Sequence, residues 1–138
     1  MTTPTDASTL IIEHLADALI YAGTDGLIAG WNKAATELYG YGADETIGQS
    51  LDIIIPERLR AAHWKGYDAA IETGKTRLSG KPTVTKAIHK DGHSIYVEMT
   101  FALVLDAGGN AMGSVAVARD VTERVERERN ARAQPGSQ

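Results

Sequence analysis

The stretch from His93 to Val104, HSIYVEMTFALV, constrains the fold most tightly. Ile95, Val97, Met99, Phe101 and Leu103 alternate with Tyr96, Glu98, Thr100 and Ala102, the two-residue period of a strand with one face in a core. Such a strand needs hydrogen-bonded partners on its flanks. One precedes it, Thr83 to His89, joined through Lys90-Asp91-Gly92, where Asp-Gly suits a tight hairpin turn. Another follows. Asp106 to Asn110, with Gly108-Gly109, turns the chain into Ala111 to Arg119, whose small residues Gly113, Ser114, Ala116 and Ala118 leave room beside the sheet.

Earlier in the chain, Ala18 to Gly23 and Leu27 to Trp31 flank Thr24-Asp25-Gly26 and read as a second antiparallel hairpin. Asn32 reads as a simple cap on a short helix, Lys33 to Tyr39, which Gly40 ends. Tyr41 to Ile55 is turn-rich and predicts short helical turns joined by loops, with Leu51, Ile53, Ile54 and Ile55 closing a cavity wall or filling the core. Pro56 at the first helical position and Gly74 past the end bracket a longer helix. On it Leu59, His63, Tyr67 and Ala70 or Ile71 fall on one side, so an imidazole occupies the place of a core residue. Lys75 to Pro82, with Lys75, Arg77 and Lys81, is a polar loop.

The two ends differ in character. Residues 1–14 form a lead-in segment: Met1 to Thr5 is a loose end, and Asp6 or Ser8 caps a helix running to about Ala16. Its Leu10, Ile11 and Leu15 form an apolar stripe that either lies on the domain's own sheet or meets a second copy. Residues 122–138 are a charged helix, with Glu123–Arg127 and Glu128–Arg132 as favourable pairs, followed by a disordered end. That helix is a solvated tail or the start of a two-stranded coiled coil.

Composition narrows the function. A length of 138 residues fits one domain, here 15–121 between the two end segments. With no cysteine, disulfides, thiolate metal sites, cysteine nucleophiles and cysteinyl-flavin photochemistry are excluded. A net charge of -4, from 14 Lys and Arg against 18 Asp and Glu, argues against nucleic acid as a partner. No apolar run approaches the ~20 residues of a membrane span, and MTTPTDAST lacks a signal peptide's basic and apolar regions, so a cytoplasmic location is expected. Glu98 and Asp120 have no second carboxylate, nucleophile or phosphate loop beside them, so no enzyme is expected.

The element order is two strands, short helices, a longer helix, three strands and an exit helix. With Asp25-Gly26, Trp31-Asn32-Lys33-Ala34-Ala35, Gly40-Tyr41, Glu45-Thr46-Ile47-Gly48, Lys90-Asp91-Gly92 and Arg119-Asp120-Val121-Thr122-Glu123-Arg124, it resembles a PAS sensory domain from about Leu15 to Arg124. The resemblance implies an α+β fold, a five-stranded antiparallel sheet with helices on one face around a small pocket, and signalling through the terminal helices, commonly in a homodimer. It also implies a fused output domain or a downstream signalling protein as partner.

PERLRAAHWKGY is similar to the helix start of the haem-binding PAS domains of FixL-type oxygen sensors, and counting back from Lys90-Asp91-Gly92 puts their iron ligand at His63 without a gap. That resemblance implies haem b, with His63 as metal ligand, its other ring nitrogen donating to a carbonyl, and a diatomic gas or a redox state as the signal. Tyr67, Ile88, Met99, Phe101, Leu103, Val115 and Val117 are then expected around the cofactor, the last five-membered strand set as a sheet-side wall. The arginine that FixL-type domains carry on the strand after this helix corresponds here to Thr83. A noncovalent flavin is less favoured, because Asn110 is the single Asn or Gln from Thr83 to Asp120. The alternative is a haem-free module for dimerisation, protein interaction or a small metabolite. His89 and His93, with Asp91 between them, read as polar hairpin ends, although cross-strand histidines can hold a metal. His14 reads as surface or interface, and Trp31 and Trp64 as packing.

Overall fold

The computed structural model describes residues 6–76 and 80–133. The expectations of loose ends at residues 1–5 and 134–138, and of a basic side chain at Arg77, lie outside the described residues.

Five strands, β1 (Ala18–Gly23), β2 (Ile28–Trp31), β3 (Thr83–Ile88), β4 (Ser94–Leu105) and β5 (Ala111–Asp120), form one antiparallel sheet in the order β2-β1-β5-β4-β3. The first hairpin closes as its sequence predicts: Gly26 takes φ 77°, and the Asp25 carboxylate accepts the Leu27 N–H at 3.0 Å. β2 begins one residue later than expected because Leu27 bridges to Ser50.

The helices are α1 (Ala7–His14), α2 (Lys33–Tyr39), α3 (Ala43–Thr46), α4 (Glu57–Thr73) and α5 (Thr122–Ala133), with a 3-10 turn at Leu51–Ile54. Asp6 caps α1, accepting from the Thr9 N–H at 2.9 Å. Leu10, Ile11 and Ile12 on α1 are 47%, 61% and 41% exposed, so within this chain the stripe does not lie on the sheet. Pro56 is the capping residue of α4 with extended ψ 137°, one place before the first helical position, and Gly74 ends the helix at φ 72°. α5 is rooted by Asp120, which accepts from the Thr122 N–H at 2.8 Å, and by Thr122 Oγ1, which accepts from the Tyr96 N–H at 2.9 Å. Beyond that root, the ion pair within α5 joins Arg124 to Glu128 at 4.0 Å; among the described residues Glu123–Arg127 and Glu128–Arg132 are not formed.

Strand register assigns each side chain to a face, since directly paired residues point the same way. Met99, Phe101 and Leu103 on β4 pair with Ala118, Ala116 and Ser114 on β5, and these pair with Ala18, Ile20 and Ala22 on β1. This is the inner face, which α4 and the short helices cover; Ile20, Ile28, Trp31, Tyr39, Tyr67 and Val97 are buried there. Valine 115 and valine 117 pair instead with Ala102 and Thr100, and with Tyr21 and Leu19, on the outer face. Ile88 pairs with Ser94, also outward. The three small residues 114, 116 and 118 face the helices because the rings of α4 need the depth that valines would fill.

Candidate functional site

One polar residue ties the helical layer to the sheet. Asn32 Oδ1 accepts from the Leu19 N–H at 2.9 Å and the Ala35 N–H at 3.0 Å. Its Nδ2 donates to the carbonyls of Ile12 at 2.8 Å and Asp17 at 3.1 Å. Both donors and both lone pairs of a side chain 2% exposed are therefore used. Asn32 does cap α2, but it also holds the end of α1 and the start of β1, which the sequence reading of a simple cap missed.

Across the same face lies a cluster of rings on α4. The four-residue step from His63 to Tyr67 brings both onto the sheet side of the helix. Tyr67 is pinned at its tip: its hydroxyl donates to the Gly23 carbonyl at 2.6 Å and accepts from Ser114 Oγ at 3.2 Å. Burial raises its pKa, only partly offset by Ser114. Its ring meets Phe101 edge-on at 6.3 Å between centroids. Trp64 donates Nε1–H to Asp52 Oδ1 at 2.7 Å and brings the outer edge of its indole against the first hairpin turn. A Cβ at Gly26 would come within 2.3 Å of Trp64 Cη2, so only glycine fits beneath the indole.

His63 sits among these rings, edge-on to Trp64 at 4.6 Å and tilted to Tyr67 at 5.7 Å. It is half-buried, and its Nδ1 is enclosed with no hydrogen-bond partner among the described residues. Burial pushes its pKa below the ordinary 6.5, with the nearby carboxylates of Asp52 and Asp68 pulling the other way. Burial thus favours the neutral imidazole, with a lone pair or an N–H at Nδ1 unspent among the described residues. Among the described residues His63 Nδ1 meets no carbonyl, so the hydrogen bond expected to orient the ring is not made from that nitrogen.

Of the expected pocket residues, the structure brings together His63, Tyr67 and Phe101, with Met99 and Leu103 on the same sheet face. Ile88, Val115 and Val117 cannot share a wall with them, because their register turns them to the other side of the sheet. Phe101 and Leu103 also border an open cleft of about 470 Å³ at the Gly74 end of α4, and His63 is not among its walls. Thr83 pairs with Met99 and is exposed at the start of β3. Ser114 and Asp52 were not anticipated at the site. The buried hydroxyl within the small-residue run of β5 was the available signal for the first; nothing local marks the second.

A five-stranded antiparallel sheet of order 2-1-5-4-3, with one long helix and several short ones set over a single face and rings between the layers, defines an α+β domain with one covered sheet face. The chain belongs to the PAS fold family, whose model matches residues 9–121. It is 34% identical over 92 residues to the Oxygen sensor protein DosP of Escherichia coli, covering 67% of this chain and 11% of that protein. It is 27% identical over 113 residues to the Sensor protein FixL of Bradyrhizobium diazoefficiens, covering 82% of this chain and 22% of that protein. The chain therefore spans a small part of either relative. In structure it is similar to the PAS domain of a protein from Colwellia psychrerythraea, with a TM-score of 0.73 at 22% identity over 84% of this chain and 95% of that one. No helix among the described residues is long and apolar enough to cross a membrane.

Proposed function

We propose that this PAS sensory domain binds b-type haem with His63 as axial ligand and reads a diatomic gas or a redox state. The observation that carries the reading is the enclosed Nδ1 of His63, a buried nitrogen without a partner on an imidazole that burial keeps neutral. A buried polar group without a partner calls for an explanation, and a bound ligand that uses it is one. The donor chemistry fits an iron ligand, and Tyr67, Met99, Phe101 and Leu103 supply the apolar sheet-side surroundings. DosP and FixL, by their names an oxygen sensor and a sensor, support the same reading. Thr83 in the place of an arginine argues for a gas response unlike that of FixL-type domains.

When bound, haem supplies an open coordination position and a one-electron couple. The chain's own residues supply the rest. His63 offers an unprotonated nitrogen, and Trp64 couples that imidazole to the Gly26 turn. Tyr67 links α4 to β1 and β5 through Gly23 and Ser114. β5 runs on to Asp120, which accepts from the first N–H of α5, so a shift of α4 reaches the exit helix through two hydrogen-bonded elements. A fused output domain or a separate signalling protein would receive it.

A second reading rests on a different observation: the exposed Leu10, Ile11 and Ile12 on α1 suit a haem-free module that acts by homodimerisation or protein interaction. The discriminating experiment is the absorption spectrum of purified protein with added haemin. A sharp Soret band in the wild type that is lost in His63→Ala supports the haem reading; a wild type without the band overturns it.

A further inference from the structure

The β3–β4 hairpin carries a second histidine cluster, packed against the end of α2, and neither PAS membership nor the haem reading uses it. We propose that His89, Asp91 and His93 form a three-ligand site for a divalent first-row transition ion, zinc above all. One ligand atom of each residue lies within 4.8 Å of those of the other two. Asp91 Oδ1 is 3.2 Å from His89 Nδ1 and contacts His93 Nδ1, and the two imidazoles stack at 4.6 Å. Ligand atoms on a tetrahedral zinc lie about 3.3 Å apart, given bonds of about 2.0–2.1 Å, so modest side-chain motion closes the set around one ion. Two imidazoles and a carboxylate are a borderline donor set that suits zinc, nickel or copper and disfavours calcium and magnesium.

Backbone geometry fixes the arrangement before any ion arrives. The tight turn is closed by His89 N–H to the His93 carbonyl and Gly92 N–H to the His89 carbonyl, both at 2.9 Å. His89 backs onto Gly40, where a Cβ would stand 2.5 Å from its Cε1 and 2.7 Å from its Nε2. That packing holds Nε2 against the end of α2 and leaves Nδ1 facing Asp91, whose N–H it accepts at 3.2 Å. The His89 lone pair is therefore already aimed at the cluster, and an ion would take the place of that amide. Gly40 and the Lys90 N–H, which donates to the Tyr39 carbonyl at 2.8 Å, make the hairpin continuous with α2. Ion binding would stiffen this corner, with the fourth coordination position left to solvent because Asp91 and His93 are exposed.

The test is calorimetric titration of the untagged full chain with zinc chloride in a non-chelating buffer at neutral pH. One equivalent should bind saturably, and His93→Ala and Asp91→Asn should each weaken binding by at least about tenfold. Both side chains are exposed, so these variants keep the fold, and far-UV circular dichroism verifies it. His63→Ala and His14→Ala should bind zinc as the wild type does. Absence of saturable heat, or binding that survives in the His93→Ala, Asp91→Asn double variant, overturns the proposal. Loss of zinc binding in His63→Ala would move the ion to α4 and overturn it equally.

Discussion

Asn32 and His63 are both polar side chains turned into the space between helices and sheet, and the structure treats them in opposite ways. Every donor and acceptor of Asn32 is used, across three separate stretches of backbone. His63 has an enclosed nitrogen with no partner among the described residues. A satisfied buried amide is a structural joint whose removal strands its partners; an unsatisfied buried imidazole is a group kept for something the fold itself does not supply. The difference predicts opposite responses to mutation.

The largest expected effect is at the joint. Asn32→Ala leaves the Leu19 and Ala35 N–H groups unpaired inside the protein and should destabilise it by roughly 3 kcal/mol in urea unfolding. His63→Leu should change stability by less than about 1 kcal/mol at pH 7, since it removes an unpaired polar atom rather than a bond. If the two variants lose equal stability, the contrast fails.

Gly26→Ala comes next. It forces a side chain into a left-handed residue and into the Trp64 indole, and should cost about 2 kcal/mol. Trp64 fluorescence should shift with it, because the indole that flanks His63 must move; unchanged emission would detach the turn from the ring cluster. Tyr67→Phe should cost about 1–2 kcal/mol by leaving Ser114 and the Gly23 carbonyl without their buried partner. The smallest effect is that of pH. The His63 pKa is lowered in the folded state, so its contribution is intact above its ordinary 6.5 and is lost as the pH falls below that toward the folded value. Unfolding midpoints measured from pH 7.5 to 5 should fall more steeply for wild type than for His63→Leu; parallel curves would mean the imidazole is not held neutral.

Much of this was readable from the chain because local chemistry decided it. Asp25-Gly26 set the first hairpin, Asn32 and Gly40 set the ends of α2, and the alternation of β4 gave its inner face correctly from Ile95 to Leu103. What local chemistry could not decide was the facing of β5. Val115 and Val117 look like the pocket-side residues, yet the register turns them outward and sets Ser114, Ala116 and Ala118 toward the helices, where the Tyr67 hydroxyl meets Ser114. The same holds for the Tyr67–Ser114 bond and for the reach of Asn32 to Ile12, which depend on how distant segments dock. His63 was legible as a polar residue on an apolar face; that its Nδ1 has no partner was not, since partners come from the whole fold.

The most direct test of the central claim is chemical rescue of haemin binding in His63→Gly. One haemin per chain should bind the wild type with a sharp Soret band, the variant should lose that band, and free imidazole should restore it by filling the vacated position. A Soret band in the variant identical to that of the wild type, with no response to imidazole, would show that the unpartnered nitrogen of His63 is not the ligand.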